Sequence, residues 1–209
     1  MNSDFYHFPN IGYSISKLPP NVFAYLKKQI VLIENDFASA KPTNKLLSGN
    51  IKKEFDLENC ITAISKHLEE EIDNFDNAFK YLDSKGLPKN ISAKIDSMWV
   101  NFQKKFEFNP NHIHNGDLSF VIFIRVPYNI KTEHENSPGV NANNNTSGCF
   151  SFVYTTSTGN LADIYLPVDA EWEGKMLLFP STLMHCVYPF FSSEDYRITV
   201  AGNVTLLRP

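Results

Sequence analysis

From Ile91 onward the chain is a succession of short β-rich runs separated by clusters of Gly, Pro and Asn, and no stretch between them carries a helical period. The candidate strands are residues 97–106, 118–126, 148–156, 162–166, 175–179, 185–189 and 197–206. Parallel strands need long crossovers, usually helices. Without them these runs pair antiparallel and close into a sandwich or barrel. The first part of the chain has a different texture. Val22, Phe23, Leu26, Ile30, Ile33 and Phe37 recur at three- and four-residue steps after Pro19-Pro20-Asn21. Ile61, Ile64, Leu68, Ile72, Phe75, Phe79 and Leu82 repeat the pattern up to Lys85-Gly86-Leu87-Pro88. Each set is the apolar stripe of an amphipathic helix. The expected fold is mainly β with flanking helices (α+β): a double-stranded β-helix, or jelly roll, braced by two α-helices from the N-terminal half.

A chain of 209 residues with 43% hydrophobic and 20% charged residues suits one globular domain. Residues 1–90 are expected to form a helical support region and 91–209 the jelly-roll core. The formal charge is −4, and the 19 basic residues are scattered rather than gathered in a stripe, so no nucleic-acid partner is indicated. The first residues lack a basic start followed by an apolar stretch, and no run approaches the ~20 apolar residues of a membrane span. A cytoplasmic protein without a membrane partner is expected. Cys60, Cys149 and Cys186 are an odd number with no Cys-x-x-Cys pair, which favours reduced, buried thiols over a disulfide framework or structural zinc.

The chemistry-bearing residues are concentrated in the β half. His112 and His114 stand two apart in Asn111-His112-Ile113-His114-Asn115-Gly116-Asp117. On a strand, positions i and i+2 share a face, so two imidazoles at that spacing can reach one ion. His185 begins a later strand and is the candidate third ligand. Two ligand sets are open: His112, His114 and His185, or a set in which a bend at Asn115-Gly116 swings Asp117 inward in place of one of the paired histidines. The first needs no special turn. Imidazoles alone do not name the metal, but a facial triad with open positions is the geometry of non-haem Fe(II) oxygenases. The bland alternative is that His112 and His114 are polar residues at the start of a strand.

Arg197 lies within an apolar strand, where an unpaired guanidinium is costly. With Thr199 on the same face it forms a candidate carboxylate clamp; otherwise Arg197 belongs to a structural ion pair with Asp163, Glu194 or Asp195. Asn203 lies further along that face, and Ser119 is a candidate for the cosubstrate pocket or for a local backbone bond. Trp99, Asn101 and Gln103 alternate on the strand before the histidines and face one side together. The Asn-rich segment from Tyr128 to Ser147 reads as a long polar loop, mobile over the site, from which His134 could approach. His7 and His67 read as surface residues.

Three segments together resemble the 2-oxoglutarate and Fe(II) dependent dioxygenases, in particular the prolyl-hydroxylase-like branch of bacteria and marine phages: His112 to Ile122, Gly174 to Phe190, and Arg197 to Asn203. The resemblance implies iron near one mouth of a jelly roll, held by His112, His114 and His185. It implies 2-oxoglutarate with its far carboxylate on Arg197 and Thr199, near Ser119 and Asn203, and oxygen as the further cosubstrate. Oxidative decarboxylation to succinate and carbon dioxide would then be coupled to hydroxylation of an unactivated C–H bond on a prolyl or other peptide side chain, or on a small molecule, in the host cytoplasm if the chain is phage-encoded. The alternatives are a three-histidine, cupin-type iron dioxygenase without 2-oxoglutarate, and a non-catalytic jelly-roll binding module. The departure from the usual pattern is His114, which stands where relatives carry a carboxylate.

Overall fold

The computed structural model describes residues 10–89 and 91–208. The helices are α1 (Pro20–Asn35), α2 (Ile61–Phe79), α3 (Tyr81–Ser84) and α4 (Ile130–Asn136). The strands are β1 (Ser14–Lys17), β2 (Glu54–Asp56), β3 (Ala93–Gln103), β4 (Asn109–His112), β5 (Leu118–Arg125), β6 (Phe150–Thr155), β7 (Leu161–Leu166), β8 (Lys175–Pro180), β9 (Met184–Val187) and β10 (Arg197–Leu206). They form a major sheet in the order β1-β8-β5-β10-β3-β2 and a minor sheet in the order β4-β9-β6-β7. Every pairing is antiparallel, as a jelly roll requires.

Period-two alternation explains why the major sheet holds both the main core and one wall of a site. On β10, Ile198, Val200, Val204 and Leu206 turn toward the helices, while Arg197, Thr199 and Ala201 turn toward the minor sheet. On β3, Met98, Val100 and Phe102 face the helices, and Trp99, Asn101 and Gln103 face inward. The helix-side core takes Leu26 and Ile30 from α1 and Ile64, Leu68, Ile72 and Phe75 from α2, the stripes the sequence shows. A smaller core of Phe123, Phe150, Phe152, Phe179 and Phe190 lies between the sheets.

Four features depart from the sequence expectation. Residues 10–89 are not solely helical: β1 and β2 join the two edges of the major sheet. Both are too short to show a period. The second helix breaks at Lys80, which takes a left-handed conformation (φ 53°) and donates its N–H to Asp76. Asp76 Oδ1 then accepts from Leu82 N–H at 2.7 Å, which lets Tyr81 and Leu82 turn inward. Strand β4, which ends on His112, contains Pro110 and shows no strand pattern in the sequence. Finally, the segment from Tyr128 to Ser147 is not a free loop. It contains α4, capped by the Asn129 side chain, and the fully buried Glu133 carboxylate accepts from the backbone N–H groups of Phe191 and Ser192 at 2.8 and 2.9 Å.

Candidate active site

The histidines converge because two local devices aim them. His112 and His185 are direct partners in the β4–β9 ladder, so their rings share one face of the minor sheet. His114 lies past the end of β4, where its N–H donates to Ser181 carbonyl at 2.9 Å. Gly116 (φ +90°) makes the turn that follows, at a position where a Cβ would stand 2.8 Å from the Val204 carbonyl oxygen. The ring centroids lie 4.2 Å (His112–His185), 4.9 Å (His112–His114) and 4.9 Å (His114–His185) apart.

Two of the rings are oriented by backbone. Nδ1 of His112 lies 2.7 Å from the Pro110 carbonyl, and Nδ1 of His185 lies 2.9 Å from that of Leu183. A carbonyl only accepts, so each Nδ1 carries the proton and each Nε2 keeps its lone pair. Burial lowers the pKa of His112, carries His114 down to about 4 and His185 to about 3, with His112 adding a smaller repulsion to the last two. All three are therefore neutral at pH 7, the state a metal needs. Nε2 of His114 and Nε2 of His185 are 3.2 Å apart. Two nitrogens each about 2.1 Å from one ion and at right angles would stand roughly 3 Å apart. Among the described residues these three form a group able to hold a metal, and no carboxylate belongs to it. Phe150 stacks on His185 at 5.6 Å, Phe179 meets its edge, and Trp99 lies 5.8 Å from His114, giving the cluster dry walls.

The Asp117 carboxylate is turned away from the three histidines. The bend at Asn115-Gly116 exists, but it turns the carboxylate outward. Oδ2 accepts from Leu206 N–H at 2.9 Å and Oδ1 lies 3.7 Å from Arg208. Its backbone carbonyl accepts from Tyr81 Oη and Ser181 N–H.

The histidines open onto a cavity whose opposite wall is the inner face of the major sheet; its empty space, part of it open to solvent, is about 610 Å³. Arg197 and Thr199 lie on that wall. Arg197 is 2% exposed and, among the described residues, makes no ion pair; neither Asp163, Glu194 nor Asp195 reaches it. Its five N–H groups go to neutral acceptors instead. Nε and Nη2 both donate to Gln103 Oε1 (2.9 and 2.7 Å), Nη1 to Tyr128 Oη and the Gly148 carbonyl, and Nη2 also to the Tyr188 carbonyl. Thr199 Oγ1 accepts from Asn101 Nδ2 at 3.1 Å, which leaves its own O–H free to donate. Ser119 and Asn203 do not line the cavity. They are cross-strand partners, and Asn203 spans Ser119 Oγ and Ser97 Oγ in a polar ladder beyond it.

Trp99, Asn101 and Gln103 line the cavity together, as their alternation suggests. Tyr128 and Glu54 carry no such signal. Glu54 has the parity of the solvent-facing Lys52, yet it is 2% exposed and lies on the cavity wall. Burial, then the nearby Glu107 charge, pushes its carboxyl up to about 7. His134 is half-buried and outside the cavity, His67 is half-buried near Ser16 on β1, and His7 lies outside the described residues.

A family model described as "Putative 2OG-Fe(II) oxygenase" matches residues 97–203, just over half of the 209-residue chain. The chain belongs to this family. It is accordingly a 2-oxoglutarate-dependent iron dioxygenase, with Fe(II) as metal and 2-oxoglutarate and oxygen as cosubstrates. No curated protein matches it in sequence. Solved structures with the same fold include a prolyl-4-hydroxylase from Pseudomonas putida (13% identity, 94% of this chain and 93% of that one, TM-score 0.54). They also include a prolyl hydroxylase from Trichoplax adhaerens in complex with a hypoxia inducible factor oxygen degradation domain peptide fragment (17%, 92% and 84%, 0.51). A third is HygX from Streptomyces hygroscopicus with nickel, 2-oxoglutarate and hygromycin B bound (10%, 94% and 83%, 0.53). At these identities the likeness establishes the double-stranded β-helix of the oxygenase and nothing finer. Among its described residues no helix is long and apolar enough to cross a membrane.

Proposed function

We propose that this oxygenase hydroxylates an unactivated C–H bond of a peptide side chain, prolyl among the candidates, or of a small molecule. In this reading His112, His114 and His185 hold Fe(II), and Arg197 with Thr199 receives the far carboxylate of 2-oxoglutarate. The reaction balances as 2-oxoglutarate, oxygen and R–H giving succinate, carbon dioxide and R–OH. The observation that carries it is the placement of three neutral, inward-facing imidazoles and a counterion-free buried guanidinium on opposite walls of one cavity. The alternative without 2-oxoglutarate would give Arg197 to an acidic substrate instead, and family membership favours the cosubstrate-dependent reading over both that one and the non-catalytic one.

Bound iron supplies the oxygen chemistry of the family; the protein's own residues bind, orient and exclude water. The carbonyls of Pro110 and Leu183 fix the Nε2 lone pairs of His112 and His185. The guanidinium edge now held by Gln103 Oε1 is the one a carboxylate would take, because a charged acceptor forms the stronger pair. Thr199 would add one O–H donor. The aromatic walls around His185 keep the reacting end dry. We place the whole chain, 1–209, in a single oxygenase domain, since edge strands from the first 90 residues complete the sheet that carries Arg197.

With Fe(II) and 2-oxoglutarate supplied, the protein is expected to form succinate, slowly alone and faster with a true substrate. Arg197→Ala should keep its iron while its 2-oxoglutarate requirement rises by roughly 2–5 kcal/mol in affinity. An unchanged requirement in that variant removes Arg197 from the clamp. The peptide-or-small-molecule question is addressed by mass-spectrometric screening for products heavier by one oxygen atom. Peptides containing proline should yield such a product if the prolyl reading holds.

A further inference from the structure

The major-sheet wall carries a polar feature that neither iron nor 2-oxoglutarate uses. Glu54 sits on edge strand β2 with only one of its carboxylate oxygens engaged: Oε2 accepts from Asn44 Nδ2 at 3.1 Å, while Oε1 is buried without a partner. Its direct neighbour across the ladder, Asn101, gives its Nδ2 to Thr199 and likewise leaves Oδ1 buried without a partner. Among the described residues five buried side-chain polar atoms lack partners, and three of them, on Glu54, Asn101 and Asn109, belong to residues lining this one cavity. All three are acceptor oxygens. Buried acceptors are normally satisfied, so such a concentration in a binding cavity marks a place where a ligand brings donors. No Lys, Arg or His forms an ion pair with Glu54 among the described residues.

Register fixes where this feature lies relative to the reaction. Glu54, Asn101, Thr199 and Phe123 form one row across β2, β3, β10 and β5. The Gln103–Arg197 row lies on one side of it, and the Trp99–Ala201 row, which adjoins His114, on the other. Glu54 is therefore at the sheet-edge end of the row, flanking the path from Arg197 to the histidines rather than lying in it. A substrate held there would enter beside 2-oxoglutarate.

We infer that Glu54 Oε1 and Asn101 Oδ1 form a substrate subsite for a primary ammonium group, so that the substrate of this oxygenase is a cationic amine. The inference rests on the reading of the cavity as the oxygenase site. Two donors of an ammonium would reach the two free oxygens, and above about pH 7, where Glu54 is ionised, its charge would meet the one carboxylate on this wall among the described residues.

The test uses the iron- and 2-oxoglutarate-loaded protein with two probes of similar size, n-butylammonium and 1-butanol. Binding is read from tryptophan fluorescence, since Trp99 lines the cavity, and succinate formation is read in parallel. The ammonium is expected to bind at least tenfold more tightly than the alcohol in the native protein. Glu54→Gln preserves shape and the Asn44 contact, and it should erase that preference; Asn101→Ala should reduce it several-fold. Equal binding of the two probes by the native protein overturns the subsite whatever the variants do, as does a preference that survives Glu54→Gln. If succinate forms but the preference is missing, only the subsite fails. If the preference is present but no succinate forms under any condition, the oxygenase reading fails and the amine site stands.

Discussion

The two walls of the cavity are built by opposite means. On the minor-sheet side, His112 and His185 are each oriented by a carbonyl two residues away in the same strand or turn, so the ligand geometry is local. On the major-sheet side, Arg197 is held by Gln103, Tyr128 and Gly148, which lie 94, 69 and 49 positions distant, so the anion-facing geometry exists only once the sheets have closed. The walls also differ in charge. The histidine wall offers three neutral donors of lone pairs, which leaves the full charge of a divalent ion uncompensated. The arginine wall holds an uncompensated cation. With the site assigned as proposed, a dianionic cosubstrate would answer both, and the two walls should be thermodynamically coupled through it: 2-oxoglutarate is expected to tighten iron binding, and iron to tighten 2-oxoglutarate binding by the same factor.

The largest effect that would break this division is loss of the metal. His114→Ala and His185→Ala are each expected to reduce iron content to background by elemental analysis. Asp117→Ala should retain full iron and instead cost about 1–2 kcal/mol in urea unfolding, since it strands Leu206 N–H. Iron lost from the Asp117 variant but kept in the His114 variant would reverse the assignment of ligands.

The same division explains what could be read from the chain alone. The His-x-His spacing, the distant His185 and the alternation of Trp99, Asn101 and Gln103 are consequences of strand periodicity, and the helix stripes are consequences of a 3.6-residue turn. The direction of Asp117 was open because it depends on where the N–H of Leu206 arrives, an event of tertiary structure. Ser119 and Asn203 share the correct face but pair with each other, and no periodicity distinguishes lining a cavity from lying one register step beyond it. Glu54 was hidden by the shortness of β2 and by a parity that pointed to solvent. Tyr128 was hidden in a segment whose composition resembles a loop, because a seven-residue helix anchored by one buried glutamate leaves no period to detect.

On the arginine wall the next largest effect is one of pH. Glu54 has a folded pKa of about 7 against an ordinary 4.5, so its carboxyl favours the protonated folded state. Below pH 4.5 folded and unfolded chains both hold the proton, and the contribution to stability is fully present. As pH rises to about 7 the unfolded chain releases it first, and stability is lost, by up to the order of 3 kcal/mol. Glu54→Gln should therefore be more stable than the native chain at pH 8 and similar to it at pH 4.5, measured by urea unfolding of the metal-free protein. The histidines contribute equally to both curves, so the difference isolates Glu54. Parallel curves would mean that its carboxyl is solvated after all.

The smallest effect is the most selective for the arginine wall. Gln103 presents an amide oxygen to the Nε and Nη2 edge of Arg197, in the position where a carboxylate would form a two-pronged pair. A neutral amide there satisfies the guanidinium without competing strongly for it, so an incoming carboxylate can displace it. Gln103→Glu keeps the size and the reach but makes the internal acceptor charged, and charged acceptors are about twice as strong. The variant should need roughly tenfold more 2-oxoglutarate for half-maximal binding, corresponding to about 1.4 kcal/mol, with iron content unchanged, while the Glu107 carbonyl loses the donor it now has in Gln103 Nε2. A carboxylate docked elsewhere on the wall would leave 2-oxoglutarate affinity where it was.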